Sequence, residues 1–257
     1  MKPTLAFISG ASSGLGKELS FLLAKQNTPL FLTSRNQEQL DLLKQELQEY
    51  TSVITFPANL ASQEELESLL KELQKHPPDL IINNAGLGFY GPILSFPIEK
   101  QLDIIRVNVN ALVQISIETA RLLQIENRTG TIMNISSAAG HFSYPYFSLY
   151  AASKRFVKDF SLSFDAEVSS LGIRVLTCLP GRIDTEFRQK ASQEKTKRPI
   201  SKWDTMPLEK TARTILRQIE KQKRCQTIDL RYQITCHLMK MIPSSWLVKL
   251  LKKTIKS

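Results

Sequence analysis

A tyrosine and a lysine four positions apart are the residues of this chain best suited to proton transfer. Tyr150 and Lys154 lie in a stretch with helical spacing, and residues four apart share one face of a helix. A phenol has an ordinary pKa of about 10, which makes it a weak acid–base group at neutral pH. A neighbouring ammonium favours the phenolate and lowers that pKa. The pair is therefore a candidate general acid for a carbonyl oxygen that receives hydride.

Two further polar residues lie where they could complete this site. Ser137 precedes Tyr150 by 13 residues and closely follows the apolar stretch 131–135. The carboxyl end of a parallel strand borders the ligand crevice, and a hydroxyl there can donate to a substrate carbonyl. Asn108 lies inside a helical pattern, although asparagine has a weak helix propensity. The alternatives are a serine that caps a turn and an asparagine on an exposed helix face.

A glycine-rich loop near the start of the chain indicates a nucleotide site. Residues 9–16 read Ser-Gly-Ala-Ser-Ser-Gly-Leu-Gly and stand between an apolar stretch and a helical one. Gly10, Gly14 and Gly16 permit a sharp turn and a close backbone approach to a pyrophosphate, which the following helix N-terminus stabilises. In this strand–loop–helix context, the pattern favours a dinucleotide site over a plain turn that starts a helix.

Short apolar stretches alternate with amphipathic ones along the chain. The predicted strands are 4–9, 30–34, 53–57, 80–83, 131–135, 173–178 and 227–230. The predicted helices are 15–26, 36–47, 62–73, 97–123, 150–170 and 207–222. Asn36 and Ser62 are expected to cap their helices, and Glu65 to complete a capping box with Ser62. We therefore predict an α/β fold: a single Rossmann-type, doubly wound, mostly parallel sheet flanked by helices on both faces.

Composition and charge restrict the class of protein. The 257 residues are 42% hydrophobic and 23% charged, as in ordinary globular proteins. The three cysteines and three histidines lack the spacing of a disulfide framework or a metal site, which favours a reducing, cytoplasmic location. Residues 188–257 carry 18 Lys/Arg against 5 Asp/Glu, whereas the rest of the chain is slightly acidic. We expect a catalytic domain over residues 1–231 and a basic amphipathic tail over residues 232–257.

These motifs resemble those of the short-chain dehydrogenase/reductase family in order and spacing, over about residues 4–186. The family's T-G-x3-G-x-G loop matches residues 9–16, and its N-N-A-G matches residues 83–86. Its P-G followed by a threonine matches residues 180–181 and Thr185. Its helix asparagine, its strand-five serine and its Y-x-x-x-K match Asn108, Ser137, Tyr150 and Lys154.

The resemblance implies hydride transfer between a nicotinamide and a carbonyl or alcohol group. In the family's pattern, Ser137 polarises the carbonyl and Tyr150 donates the proton. Lys154 holds the ribose hydroxyls and lowers the tyrosine pKa, and Asn108 positions a proton-relay water. The chain departs from the pattern at Ser9, where the family usually has threonine.

The resemblance also implies where a dinucleotide would bind. The backbone at Ile183 and the side chain of Thr185 would hold the nicotinamide carboxamide. The family usually has an acidic residue after strand three; here it is Asn59, whose amide can still form a hydrogen bond with adenine. The expected cofactor-binding residues are Gly10, Ser12, Ser13, Gly14, Leu15, Gly16, Ser34, Arg35, Asn59, Leu60, Asn84, Ala85, Gly86, Asn108, Tyr150, Lys154, Pro180, Gly181, Ile183 and Thr185.

The end of the second strand indicates which dinucleotide binds. An acidic residue there would hold a ribose 2′-hydroxyl and repel a 2′-phosphate, but this chain has Ser34 followed by Arg35. A guanidinium suits a phosphate. We therefore predict NADP(H), the alternative being that Arg35 is an ordinary solvated charge.

Two segments rich in apolar and aromatic residues, 87–93 and 140–147, would border the substrate pocket. They favour an apolar or lipid-like carbonyl or alcohol substrate over a polar one, although such segments also arise from ordinary loop packing. A second hypothesis is a non-catalytic NADP-binding sensor or scaffold on the same fold. The complete set of Asn108, Ser137, Tyr150 and Lys154 argues against it, because a sensor needs no proton donor.

The C-terminal segment 246–256 alternates apolar residues with lysines and is too short and too charged to span a membrane. It could lie on an anionic membrane surface or dock on its own domain. We expect no nucleic-acid partner, since the basic residues belong to no recognised nucleic-acid module. A homodimer or a homotetramer is expected from the assemblies common in the family.

Overall fold

The carboxyl ends of parallel strands form one edge of the molecule. A computed structural model describes residues 2–183 and 205–240, together with residues 242, 246 and 248. Within them lies a parallel sheet with the order β3-β2-β1-β4-β5-β6-β7. The order reverses between β1 and β4, the position at which an open parallel sheet forms its ligand crevice. The strands are β1 Ala6–Ser9, β2 Leu30–Ser34, β3 Val53–Pro57, β4 Leu80–Asn83, β5 Gly130–Ile135, β6 Ile173–Leu179 and β7 Cys225–Thr227.

Both faces of the sheet are covered, which confirms the predicted fold class. Side chains alternate across a strand, so Ile8 packs into one core cluster and Phe7 into the other. Burial on both faces explains why the central strands are continuously apolar rather than alternating. The helices in the described residues are α1 Gly14–Ala24, α2 Gln37–Leu47, α3 Gln63–Lys75, α4 Ile98–Ile105, α5 Leu112–Ile125, α6 Ser148–Val168, α7 Leu208–Glu220 and α8 Leu230–Lys240.

The predicted helix caps are confirmed at α2 and α3, but the capping box is wrong. The side chain of Asn36 accepts from the Gln39 N–H at 2.9 Å, and that of Ser62 accepts from the Glu65 N–H at 3.4 Å. Glu65 does not reach back to the Ser62 N–H, because that group donates to the Asn59 carbonyl at 2.8 Å. The Glu65 carboxylate instead accepts from the Asn59 N–H at 2.8 Å and fixes the turn after β3.

The predicted helix over residues 97–123 is interrupted. Residues Arg106–Ala111 form a π-helical turn between α4 and α5. Asn108 lies in this turn and is fully buried, so it does not occupy an exposed helix face. Its side chain bonds to groups outside the helix, which accounts for a weak helix former at this point. π-helical turns are frequent at functional sites.

The C-terminal end of the sheet also differs from the prediction. The last strand is Cys225–Thr227 rather than 227–230, because Asp229 takes a left-handed conformation with φ of 77° and ends the strand. The Asp229 carboxylate accepts from the Arg231 N–H at 2.9 Å, and α8 begins there. Helix α8 runs across the predicted boundary between residues 231 and 232. The division into a domain and a tail stays a prediction.

Two predicted features lie outside the described residues, Thr185 and most of the segment 246–256. Among the helices of the described residues, none combines the length and apolar character needed to cross a membrane.

Candidate active site

The glycine-rich loop forms a tight turn between β1 and α1. Gly10 and Gly14 have left-handed φ values of 65° and 51°, which favour glycine. A Cβ at Gly16 would lie 2.2 Å from the carbonyl oxygen of Gly10, so only glycine fits there. At these three positions the loop carries no side chain, so a pyrophosphate can approach the backbone closely at the N-terminus of α1.

Ser9 and Asn84 join this loop to the motif at the end of β4. The Asn84 side-chain amide donates to the carbonyls of Ser9 at 3.0 Å and Gly10 at 3.2 Å. The Ser9 hydroxyl accepts from the backbone N–H groups of Asn84 at 3.1 Å and Ala85 at 3.0 Å. Serine therefore provides the hydroxyl of the family's usual threonine, and the departure at this position is conservative.

The end of β2 lies beside the glycine-rich loop, since the Ala11 N–H donates to the Thr33 carbonyl at 3.1 Å. Ser34 is buried there, and Arg35 follows it in an exposed position. Among the described residues, Arg35 forms no ion pair, so its guanidinium is available to a phosphate group at this corner.

Only part of the Asn59 side chain is available for the expected hydrogen bond to adenine. Its side-chain oxygen accepts from the Ala61 N–H at 3.2 Å, which leaves the amide N–H groups as the atoms that could reach a base. Leu60 is buried beside it.

Tyr150 and Lys154 lie on α6, and Ser137 lies at the end of β5. Tyr150 and Ser137 form a side-chain hydrogen bond. Ser137 also accepts from the Ala139 N–H at 3.2 Å, so it caps a turn and faces the tyrosine at once. The Lys154 ammonium is 5.8 Å from the centre of the Tyr150 ring and donates to the Ile135 carbonyl at 2.8 Å. The structure therefore brings the three predicted catalytic side chains together.

The pKa values of these groups differ from the sequence-based expectation. Burial raises the pKa of Tyr150 to about 12, and the hydrogen bond with Ser137 lowers it by less. Burial also lowers the pKa of Lys154 from 10.5 to about 8. The expected lowering of the tyrosine pKa by Lys154 is not found, because the ammonium is turned to the Ile135 carbonyl. In this geometry Tyr150 is a protonated acid throughout the neutral range.

The Asn108 side chain forms hydrogen bonds with both the loop after β4 and helix α6. Its side-chain oxygen accepts from the Leu87 N–H at 2.7 Å. Its amide group donates to the Leu87 carbonyl at 2.8 Å and to the Ser153 hydroxyl at 3.0 Å. Both amide hydrogens are therefore used within the protein, and the positioning of a relay water by Asn108 stays a prediction. A Cβ at Gly86 would lie 3.4 Å from the Lys154 ammonium and 3.5 Å from the Asn108 oxygen, which places Asn108 beside the lysine.

The motif after β6 closes the site. The Pro180 carbonyl accepts from the Ala138 N–H at 2.9 Å, which ties this loop to the serine turn. Gly181 lies against the ring of Tyr232 on α8, where a Cβ would approach within 2.2 Å. Ile183 pairs with Met206 in an isolated parallel bridge. Thr185 lies outside the described residues.

Sequence reasoning missed two residues of this site. Ser153 holds Asn108 and also donates to the Tyr150 carbonyl at 2.8 Å. Its position inside Y-x-x-x-K was the available signal, since a small polar residue there lies on the helix face next to Tyr150. Tyr232 gave no such signal, because its contact with Gly181 depends on how α8 folds back.

Comparison with known proteins settles the family. The family model described as short chain dehydrogenase matches residues 4–196, about three quarters of the chain. The chain belongs to this family. The prediction of an oxidoreductase of the short-chain dehydrogenase/reductase family is thereby confirmed.

Individual relatives are distant. The chain is 29% identical over 186 residues to sulfoacetaldehyde reductase 2 of Chromohalobacter salexigens, covering 71% of this chain and 74% of that one. It is 32% identical over 192 residues to the very-long-chain 3-oxoacyl-CoA reductase of Anas platyrhynchos, covering 71% of this chain and 60% of that one. A short-chain dehydrogenase from Sphingobium yanoikuyae, solved in complex with NADPH, superposes with a TM-score of 0.80 at 25% identity, covering 93% of this chain and 96% of that one. That bound cofactor agrees with the predicted NADP(H).

Proposed function

We propose that the protein is an NADP(H)-dependent reductase that converts a carbonyl group to an alcohol. The observation that carries this proposal is the Tyr150 hydroxyl bonded to Ser137, with the Lys154 ammonium beside the same ring. Tyr150, Ser137 and Lys154 lie at the same carboxyl edge of the sheet as the glycine-rich loop. The dinucleotide would lie along residues 9–16, Arg35 and residues 84–86.

Ser137, Tyr150 and Lys154 each have a different role in the proposed reaction. NADPH, when bound, supplies the hydride to the carbonyl carbon. The Ser137 hydroxyl donates to the carbonyl oxygen and holds it against Tyr150. The Tyr150 hydroxyl then gives its proton to that oxygen as negative charge develops there. The Lys154 ammonium, held by the Ile135 carbonyl, would bind the ribose hydroxyls of the dinucleotide and so position the nicotinamide.

The substrate we propose is apolar or lipid-like, because Tyr150 packs against a cluster of aromatic rings. Phe147 stacks on its ring at 4.2 Å, and Tyr90 and Tyr144 meet Phe147 edge-on at 5.7 and 6.2 Å. Phe89 and Phe96 stack nearby at 5.4 Å. The names of the relatives include both a small anionic aldehyde and a long acyl chain, so the aromatic wall is the better guide.

The test is a substrate screen that follows NADPH oxidation. Ketosteroids and long-chain 3-oxoacyl thioesters should give a kcat/KM at least about tenfold above that of sugar ketones, because an apolar wall favours apolar groups by ~1.4 kcal/mol or more. A sugar ketone as the best substrate would contradict the proposal. Tight NADPH binding without turnover of any ketone or quinone would favour the sensor hypothesis instead.

We further propose that α8 attaches the protein peripherally to an anionic membrane surface. The inner face of α8 docks on the domain through Tyr232 and Cys236. Its outer face carries Leu230, Ile234 and Leu238, which are 66%, 52% and 57% exposed and stand one helical turn apart. A helix that is apolar on both faces needs a second apolar environment.

Two features favour lipid as that environment. Beyond the end of α8, Ile242 and Trp246 are also exposed, by 37% and 71%, and tryptophan is enriched at membrane interfaces. Residues 188–257 have a positive balance of 18 Lys/Arg against 5 Asp/Glu, which complements anionic headgroups. The docking and the membrane contact that the sequence predicts for segment 246–256 stay predictions.

Vesicle co-sedimentation tests this attachment. Full-length protein should bind phosphatidylserine-containing vesicles and bind pure phosphatidylcholine more weakly. The triple variant Leu230→Gln, Ile234→Gln and Leu238→Gln should lose at least about tenfold in partitioning, since three apolar side chains lose their burial. Ile125→Gln is the matched control, because Ile125 is 76% exposed at the opposite edge of the sheet. Equal binding by the triple variant and wild type would reject the proposal. The expected cytoplasmic location and the homodimer or homotetramer stay predictions.

A further inference from the structure

Phe147 is the residue in closest ring contact with the proposed proton donor. Its ring lies 4.2 Å from that of Tyr150 with an angle of 22° between the planes, which is a stacked arrangement. Phe147 is the residue immediately before α6, and Tyr150 lies in the first turn of that helix. None of the family motifs described above includes Phe147.

The Phe147 ring is itself held from several sides. Tyr90 and Tyr144 meet it edge-on, at 5.7 Å and 6.2 Å. The backbone of Gly88 passes so close that a Cβ there would lie 2.9 Å from the Tyr150 ring and 3.0 Å from the Phe147 ring. The Gly91 N–H donates to the Tyr146 carbonyl at 2.8 Å, which joins the two loops that carry these rings. Phe147 therefore has little freedom to leave Tyr150.

We propose that Phe147 is a positioning residue that holds the Tyr150 ring for proton transfer and keeps water from its hydroxyl; this rests on the proposed function of Tyr150 as the acid. A tyrosine side chain can rotate about two bonds, and a ring stacked on one face restricts both rotations. The hydroxyl is then kept at Ser137, where the substrate oxygen would bind.

The surroundings of the phenol agree with this role. In the described part of the chain, the Lys154 ammonium lies over the ring at 5.8 Å, and Ser137 bonds to the hydroxyl. The loop that carries Gly88 contributes backbone and aromatic rings. Burial among these apolar groups raises the pKa of Tyr150. Removal of the Phe147 ring would admit water and move this pKa back toward its ordinary value.

The first test follows the ionisation of Tyr150 in the full chain by NMR of tyrosine labelled at Cζ. The Tyr150→Phe variant identifies the resonance. In wild type, we expect Tyr150 to stay protonated to above about pH 11, whereas in Phe147→Leu its midpoint should fall by at least about one pH unit, toward an ordinary pKa of about 10. The conservative variant Phe147→Tyr should restore the wild-type midpoint. An unchanged midpoint in Phe147→Leu would overturn the proposal.

The second test is kinetic, with a long-chain 3-oxoacyl thioester as the probe. Phe147→Leu should lower kcat at least about tenfold and leave the KM for NADPH unchanged, because the loss occurs in the transition state. Phe156→Leu is the matched control: it removes a ring on the same helix that stacks on Phe160 at 5.8 Å, away from Tyr150. A parallel loss of NADPH affinity and thermal stability in Phe147→Leu would show a packing role only and would overturn the proposal. If Tyr150→Phe stays active while Phe147→Leu still shifts the Tyr150 midpoint, the proposed acid is wrong and the contact between the rings stands.

Discussion

The two ends of the sheet's carboxyl edge differ in the polarity of their buried and exposed side chains. Around β1, β4 and β5, polar groups such as Asn108 and Lys154 are buried and hydrogen-bonded. Beyond β7, apolar side chains such as Ile234 and Leu238 on α8 stand in solvent. Burying a polar group is costly unless it is paired, and exposing a stripe of apolar groups indicates a partner surface. The first region is therefore suited to chemistry and the second to attachment.

The strongest test of this division is the removal of one oxygen atom from the catalytic region. Tyr150→Phe should lower kcat by about 10²–10⁴-fold, because that is what general acid catalysis contributes. NADPH affinity should change by less than about threefold, since most expected contacts lie elsewhere. Steady-state kinetics and cofactor titration measure both. Binding to phosphatidylserine vesicles should stay at the wild-type level, and a loss of vesicle binding would show that the two regions are not separate.

We also expect kcat/KM to depend on pH through a group of the candidate active site, Lys154. Burial lowers the pKa of Lys154 from 10.5 to about 8, so the ammonium is present below about pH 8 and is lost as the pH rises through that value. Tyr150, with a pKa of about 12, stays protonated over the same range. With NADPH varied, kcat/KM should therefore fall above pH 8, by about tenfold per pH unit if the neutral amine is inactive.

Lys154→Arg provides the control, because a guanidinium stays charged at these pH values. The fall above pH 8 should disappear in this variant, even if its overall rate is lower. A fall that persists unchanged would assign the ionisation to another group.

Arg35 gives a smaller effect that separates the two forms of the cofactor. If its guanidinium binds the 2′-phosphate, Arg35→Ala should weaken NADPH binding by about 10- to 150-fold, the equivalent of ~1.5–3 kcal/mol for a charge-assisted hydrogen bond. NADH binding should stay almost unchanged. Ser34→Asp should shift the preference further in the same direction, because a carboxylate repels the phosphate. Dissociation constants for both cofactors, measured in each variant, decide the case. Equal weakening of NADPH and NADH would show that Arg35 is not the phosphate contact.

The sequence predicts how the candidate active site is assembled, because its determinants are local. Gly10 and Gly14 are needed for backbone conformation, and Tyr150 and Lys154 lie one turn apart, so spacing alone places them. The π-helical turn at Asn108 could not be predicted, since it depends on bonds from a distant loop and from Ser153. The aromatic contacts of Phe147 likewise join segments far apart in the chain.

The region around α8 was less predictable for the same reason. Asp229 ends β7 by its left-handed conformation, which no motif marks, and the inner face of α8 is set by its contact with Gly181. The basic balance of the C-terminal residues was visible in the sequence. Which apolar side chains are exposed depends on the docking of the helix and could not be read from composition.

The smallest predicted effect compares one side chain on α8 with one in the core. Ile234 is 52% exposed, whereas Ile215 on α7 is completely buried. Ile215→Ala should lower the free energy of unfolding by about 2–5 kcal/mol, because it removes buried methyl groups and leaves a cavity. Ile234→Gln should change it by less than about 0.5 kcal/mol, as is usual for a surface substitution. Urea denaturation of both variants without lipid measures the difference. If Ile234→Gln is as costly as Ile215→Ala, the outer face of α8 is covered by the protein itself, and a membrane is not its partner. If instead the stability is unchanged and vesicle binding still falls, the exposed apolar stripe serves attachment rather than folding.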